Sequence, residues 1–159
     1  MKRDLYSHLG FFRALVPGTK AVATEGETID LRSFGKAVVM VDVGTITSAL
    51  SADLAYKFVL QHGLASAVGV SVWSNVPASL FLHSVYGGIG STSETGVFKI
   101  VGSATDSGIT FIGYKGDAKH RYLRVYLSVS GTPVNNGITC AATAILGDAS
   151  LWPVNTAIN

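Results

Sequence analysis

The sequence predicts an all-β protein: an antiparallel β-sandwich, jelly-roll-like, of about eight short strands. Three observations predict it. Beyond residue 20 the β-branched and aromatic residues follow a two-residue alternation; Gly, Ser, Thr and Asn clusters punctuate them; and no segment carries a helical stripe long enough to compete. At 159 residues the chain is one domain of ordinary size, able to bury a core without disulfide or metal support. The expected organisation is an extended N-terminal arm over residues 1–20, a sandwich over 21–148 and a C-terminal tail over 149–159.

In the arm, Leu5, Leu9, Phe12 and Val16 approximate a helical stripe, but Gly10 and Pro17-Gly18 interrupt it. An isolated helix shorter than about 12 residues is marginal in water, so an arm that orders on a partner is an equal reading. It is expected to reach outside its own sandwich and bury Leu5, Leu9, Phe11 and Phe12 on a neighbour. Strands follow at 28–32 and 36–43, the second apolar enough to be buried on both faces, as 138–146 is. Residues 53–62 set Leu54, Tyr56, Phe58 and Leu60 opposite Ala55, Lys57, Val59 and Gln61. Further strands fall at 68–74, 97–101 and 109–114. The clearest alternation is 121–129, where Leu123, Val125, Leu127 and Val129 share one face and Tyr122, Arg124, Tyr126 and Ser128 the other. Between strands, 77–93 reads as an excursion with a short strand or helical turn at 79–85. Asn136-Gly137 supplies a turn that would make 125–130 and 138–146 two sides of a hairpin. The tail, with Trp152-Pro153, could cross a subunit boundary.

Composition narrows the function. Charged residues are 14% of the chain against 48% hydrophobic, where soluble domains carry roughly 25% charged. Residues 58–93 contain no Asp, Glu, Lys or Arg, so neighbouring subunits are expected to cover that stretch, with Leu80 and Phe81 in the contact. A net charge of +2 gives no field for nucleic-acid binding. Residues 65–82 are broken by Gly69, Asn75 and Pro77 and cannot span a membrane. Asp4, His8 and Arg13 interrupt any signal-peptide core, so cytoplasmic synthesis is expected. Cys140 has no cysteine to pair with and reads as a small buried hydrophobe.

No catalytic residues, cofactor site or metal ligands emerge. The motif VDVGTITS at 41–48 resembles the phosphate-binding hairpin of actin-like ATPases, with Asp42 as the metal-handling acid. That fold needs two domains and a second phosphate loop, which this chain lacks. His8, His62, His83 and His120 show no metal-ligand spacing, and no serine sits in a nucleophile elbow. GGIG at 87–90 lacks the strand and helix of a dinucleotide loop. The cluster KGDAKHRYLR at 115–124 reads as a solvated hairpin tip, or as an electrostatic contact through Lys119 and Arg121 with an acidic patch on a partner. Trp73, Tyr122 and Tyr126 could form a carbohydrate-stacking platform.

The opening MKRDLYSHLGFFRAL, the strand pair ETIDLRSFGKAVVMVDVGTIT, and GYKGDAKHRYLRVYLSVSG followed by ITCAATAILGD together resemble small virion proteins of tailed bacteriophages, departing across 61–93. The resemblance implies a non-enzymatic β-sandwich on the capsid surface, a decoration or cement protein whose partners are the major capsid protein and its own copies, as a homotrimer. It equally admits a neck or tail component. A carbohydrate-binding module is the alternative from another class, and an enzyme the third reading.

Overall fold

The protein is represented by a computed structural model that describes residues 9–47, 50, 54–66, 69–82, 94–132 and 137–149. In chain order its strands are β1 (Gly10–Lys20), β2 (Thr24–Glu25), β3 (Ile29–Asp30), β4 (Phe34–Ile46), β5 (Ala55–Ser66) and β6 (Gly69–Asn75). After a 3-10 turn at Ala78–Leu80 come β7 (Phe81–Leu82), β8 (Val97–Val101), β9 (Gly108–Tyr114), β10 (His120–Ser130) and β11 (Ile138–Ala149). All pairings are antiparallel. One sheet has five strands in the order β1-β11-β4-β9-β7. The six-stranded second sheet runs β2-β10-β5-β6, with β3 also on β10 and β8 on β5.

Side-chain alternation sets which face each sheet buries. Leu123, Val125 and Leu127 of β10 and Tyr56, Phe58 and Leu60 of β5 are fully buried, as their spacing requires. They share one core with Ala37, Val39, Val41 and Val43 of β4 and Cys140, Ala142, Ala144 and Leu146 of β11. The five-stranded sheet thus contributes many small side chains, and the other sheet fills the space with Tyr56, Phe58 and Phe98. Cys140 behaves as a buried hydrophobe, and burial pushes its thiol up to about 11. The pairs β4·β11 and β5·β10 nest like two rungs of a rolled ribbon, the jelly-roll-like part of the topology.

Several expectations are corrected. Residues 10–20, read as part of an arm, form edge strand β1, paired with β11 from Gly10↔Leu146 to Lys20↔Ile138. Register shifts around Leu15 let the consecutive Ala14 and Leu15 both reach the core. Pro17 is tolerated because an edge position needs no donor on its open side. The Asn136-Gly137 turn does not close a hairpin: β10 lies in one sheet and β11 in the other, and Gly137 (φ +84°) ends a crossover between layers. Asn136 itself lies outside the described residues. Strands β4 and β11 are central but buried on one face only; Val38 is exposed and Met40 and Ile145 are half-buried. The chain stays extended through Gly44 to Ile46, so Asp42 stands mid-strand and the motif at 41–48 forms no phosphate-binding turn there.

The strand expected at 28–32 is reduced to the two-residue β3, and a second short piece, β2, precedes it along β10. Between them the chain leans across to the other sheet: Gly26 N–H donates to Val125 O of β10 at 2.8 Å, and Glu27 N–H donates to Ala14 O of β1 at 2.9 Å. A Cβ on Gly26 would collide with both of those carbonyl oxygens, which is why glycine stands here. This strap ties the two layers together along one side.

Candidate functional site

The outer face of the five-stranded sheet is the first candidate. Phe11, Ile145, Val38 and Gly113 form a row across β1, β11, β4 and β9, and Leu82 of β7 extends it. The next row runs Arg13, Thr143, Met40, Phe111, and the third Ala141, Asp42, Ile109. Phe11 is 52% and Ile109 63% exposed, with Val38, Leu82 and Phe111 also open to solvent. Charge in these rows is confined to Asp42 and to Arg13, which pairs with Glu27. A sheet face bathed in water ordinarily alternates to polar residues; this one leaves Phe11, Val38, Leu82, Ile109 and Phe111 open, interrupted by Arg13, Thr143 and Asp42.

The opposite outer face, on the six-stranded sheet, is polar and internally satisfied. Arg124 bonds Gln61 at 2.9 Å and Glu25 at 3.0 Å, and lies over the Trp73 ring at 4.4 Å. Arg121 grips Asp30 through two hydrogen bonds and stands 5.0 Å from the Tyr122 ring. The aromatic platform proposed for sugars therefore carries the protein's own guanidinium groups on Trp73 and Tyr122.

The residues expected at a partner contact are dispersed. Phe11 points outward on the apolar face, while Phe12 turns inward and meets Phe34 edge-on, ring centroids 6.4 Å apart. Leu9 is half-buried, and Leu5 lies outside the described residues. Leu80 and Phe81 pack against the core margin, leaving their neighbour Leu82 as the exposed apolar group. Lys119 is exposed, whereas Arg121 is held by Asp30. The beginning of the uncharged stretch is explained internally, since Phe58, Val59 and Leu60 are all buried.

A second feature was legible only in part. The segment 115–119, read as a hairpin tip, is a crossover from β9 to β10, and it folds polar groups inward. Gly116 (φ +73°) takes a left-handed conformation with its Cα against the Gly35 carbonyl, which leaves no room for a side chain. The following Asp117 caps the loop, its Oδ1 accepting the N–H groups of Lys119 at 2.9 Å and His120 at 2.7 Å. Its other oxygen lies 2.7 Å from His120 Nδ1 and 4.0 Å from His62 Nδ1. The two imidazoles stack with centroids 3.5 Å apart and an interplanar angle of 11°. His62, the residue after Leu60 on the inward face of β5, is 3% exposed, with Nδ1 3.2 Å from Tyr114 Oη.

Burial, and secondarily the neighbouring His120, lowers the His62 pKa, with Asp117 opposing. For Asp117, burial pushes upward but is outweighed by hydrogen bonds from the His120 ring and the two loop N–H groups, and its carboxyl is held below the usual range. Burial raises the Tyr114 phenol strongly, so it stays protonated. Asp117 and His120 line a cleft of about 450 Å³ with Leu31, Phe34, Lys115 and Arg121, and His62 lies behind them.

No protein-family model and no curated protein matches the sequence. Among solved structures the chain is similar to the crystal structure of the SPBc2 prophage-derived protein YomS, with a TM-score of 0.42 and 15% identity over 87% of this chain and 91% of that one. No helix among the described residues is long and apolar enough to cross a membrane.

Proposed function

We propose that this chain is a non-enzymatic virion structural protein that decorates and stabilises a phage capsid by bridging major capsid protein subunits, acting as a homo-oligomer, a trimer in the simplest case. The observation that carries the reading is the apolar outer face of the five-stranded sheet. Large exposed apolar patches mark association surfaces, because leaving them in water forfeits roughly 25 cal/mol for each Å² that a partner could cover. Cement proteins work by spreading such contacts over neighbouring subunits, and a broad sheet face suits that better than a cleft does. The resemblance of the sequence to small virion proteins supports the same reading.

Light scattering of the purified protein, alone and with DNA-filled particles, tests it. Wild type should self-associate and co-sediment with the particles. Ile109→Asp with Phe111→Lys should abolish both while the far-UV circular dichroism stays unchanged, since an unpaired charge forced into an apolar contact costs several kcal/mol, roughly 3–5. A wild type that is monomeric both free and on the particle would defeat the proposal. Co-purification with tails alone would move the protein to the neck or tail.

A further inference from the structure

We propose that His62, Asp117 and His120 bind one divalent transition-metal cation of the zinc class, at the floor of the cleft beside the β9–β10 crossover, with His62 Nδ1 exchanging its contact with Tyr114 Oη for the metal. One donor atom from each of the three residues lies within 4.8 Å of the others. Tetrahedral zinc with bonds of about 2.0–2.1 Å holds its donors roughly 3.3 Å apart. The observed 2.7 Å from Asp117 to His120 and 4.0 Å from Asp117 to His62 bracket that spacing. Two imidazoles and one carboxylate form a three-ligand set that leaves a fourth position for water from the cleft. Nitrogen donors select zinc-like ions over magnesium or calcium, which prefer oxygen.

The stacked rings show what must move. An imidazole lone pair lies in the ring plane, so two parallel rings 3.5 Å apart direct theirs side by side and not at a common point. His120 borders the cleft and must turn out of the stack, exchanging its hydrogen bond to Asp117 for the metal, while His62 is buried. The site therefore has a buried half on β5 and a cleft-side half at the start of β10, and metal uptake converts the histidine stack into a clamp between strand and crossover.

The full chain, stripped with a chelator, is titrated with cobalt(II) and then zinc. One equivalent of cobalt should give the visible absorption of a tetrahedral site, and zinc should displace it. His120→Ala and Asp117→Asn, which spare the buried ring, should each weaken binding by about tenfold or more. Tyr114→Phe, which removes the hydroxyl that occupies His62 Nδ1, should leave binding no weaker than in wild type. All three are compared at unchanged circular dichroism. No uptake by wild type at millimolar metal would overturn the proposal. So would wild-type affinity in both the His120 and Asp117 variants.

Discussion

The inward position of His62 gives a pH dependence whose sign is fixed by its surroundings. Its pKa in the folded protein lies below the ordinary 6.5, so the unfolded chain takes up the proton more readily. The stability this group contributes is complete above pH 6.5 and is lost as the pH falls from there through the depressed folded value. Asp117, also depressed, adds a second loss below its ordinary 3.8. In metal-free protein the melting temperature should therefore decline as the pH drops from 7 to 5, and His62→Gln should flatten that decline. A wild-type melting temperature level across this interval would contradict the burial argument. Sequence reading placed Leu54, Tyr56, Phe58 and Leu60 on the core face of 53–62, and one further step of the same alternation reaches His62. A titratable ring in a core series was a usable signal. Its partners Asp117 and His120 were not legible, because a fold contact across 52 or more residues leaves no spacing to read. Asp42 is the converse case: a local motif with a familiar look, but held extended by β11 and β9 on either side.

At the scale of elements, alternation was readable and pairing was not. The strands at 97–101 and 109–114, and the inward faces of β5 and β10, follow directly from two-residue periodicity. A hairpin prediction at Asn136-Gly137 failed because turn chemistry specifies only a reversal, whereas the sheet joined afterwards depends on which strand edges remain open. Strand β1 was missed because its register shifts and Pro17-Gly18 blur the alternation. Its true role changes what truncation should do. Removing residues 1–20 strips an edge strand and the buried Ala14 and Leu15, and should lower the melting temperature of the isolated domain. Removing residues 1–8 should leave it within a few degrees while weakening attachment to particles. Calorimetry and co-sedimentation separate the two, and equal thermal loss from both truncations would mean that residues 1–8 belong to the core. The Gly26 strap gives a third test. Gly26→Ala must break the approach to Ala14 or to Val125, and losing two backbone hydrogen bonds costs about 2 kcal/mol, a fall of roughly 4–8 °C in Tm. An unchanged Tm would show that the strap carries no load.

For the whole molecule, the two outer faces divide the labour. One is closed by Arg121–Asp30 and Arg124–Glu25, and the other is left apolar. The runs at 36–43 and 138–146 had announced this in a misread form: apolar residues at both parities suggested strands covered on two sides within the monomer. In the structure only one side is covered by the chain itself, through Val39 and Val41, while Val38 looks outward. The same residues thus encode burial on folding at one parity and, under the proposed function, burial on assembly at the other.

The strap at Gly26 and Glu27 makes the sandwich resemble a book bound along one spine. Layers joined there by main-chain bonds to Ala14 and Val125 cannot slide or part at that side, so thermal breathing must begin at the far margin, near β6 and β7. Amide protons of Gly26 and Glu27 should then exchange with deuterium only on global unfolding, while those of β7 exchange through cheaper, partial excursions. Such a spine channels a pull on one leaf into the other. The load is carried as tension along the backbone rather than as peeling of the core.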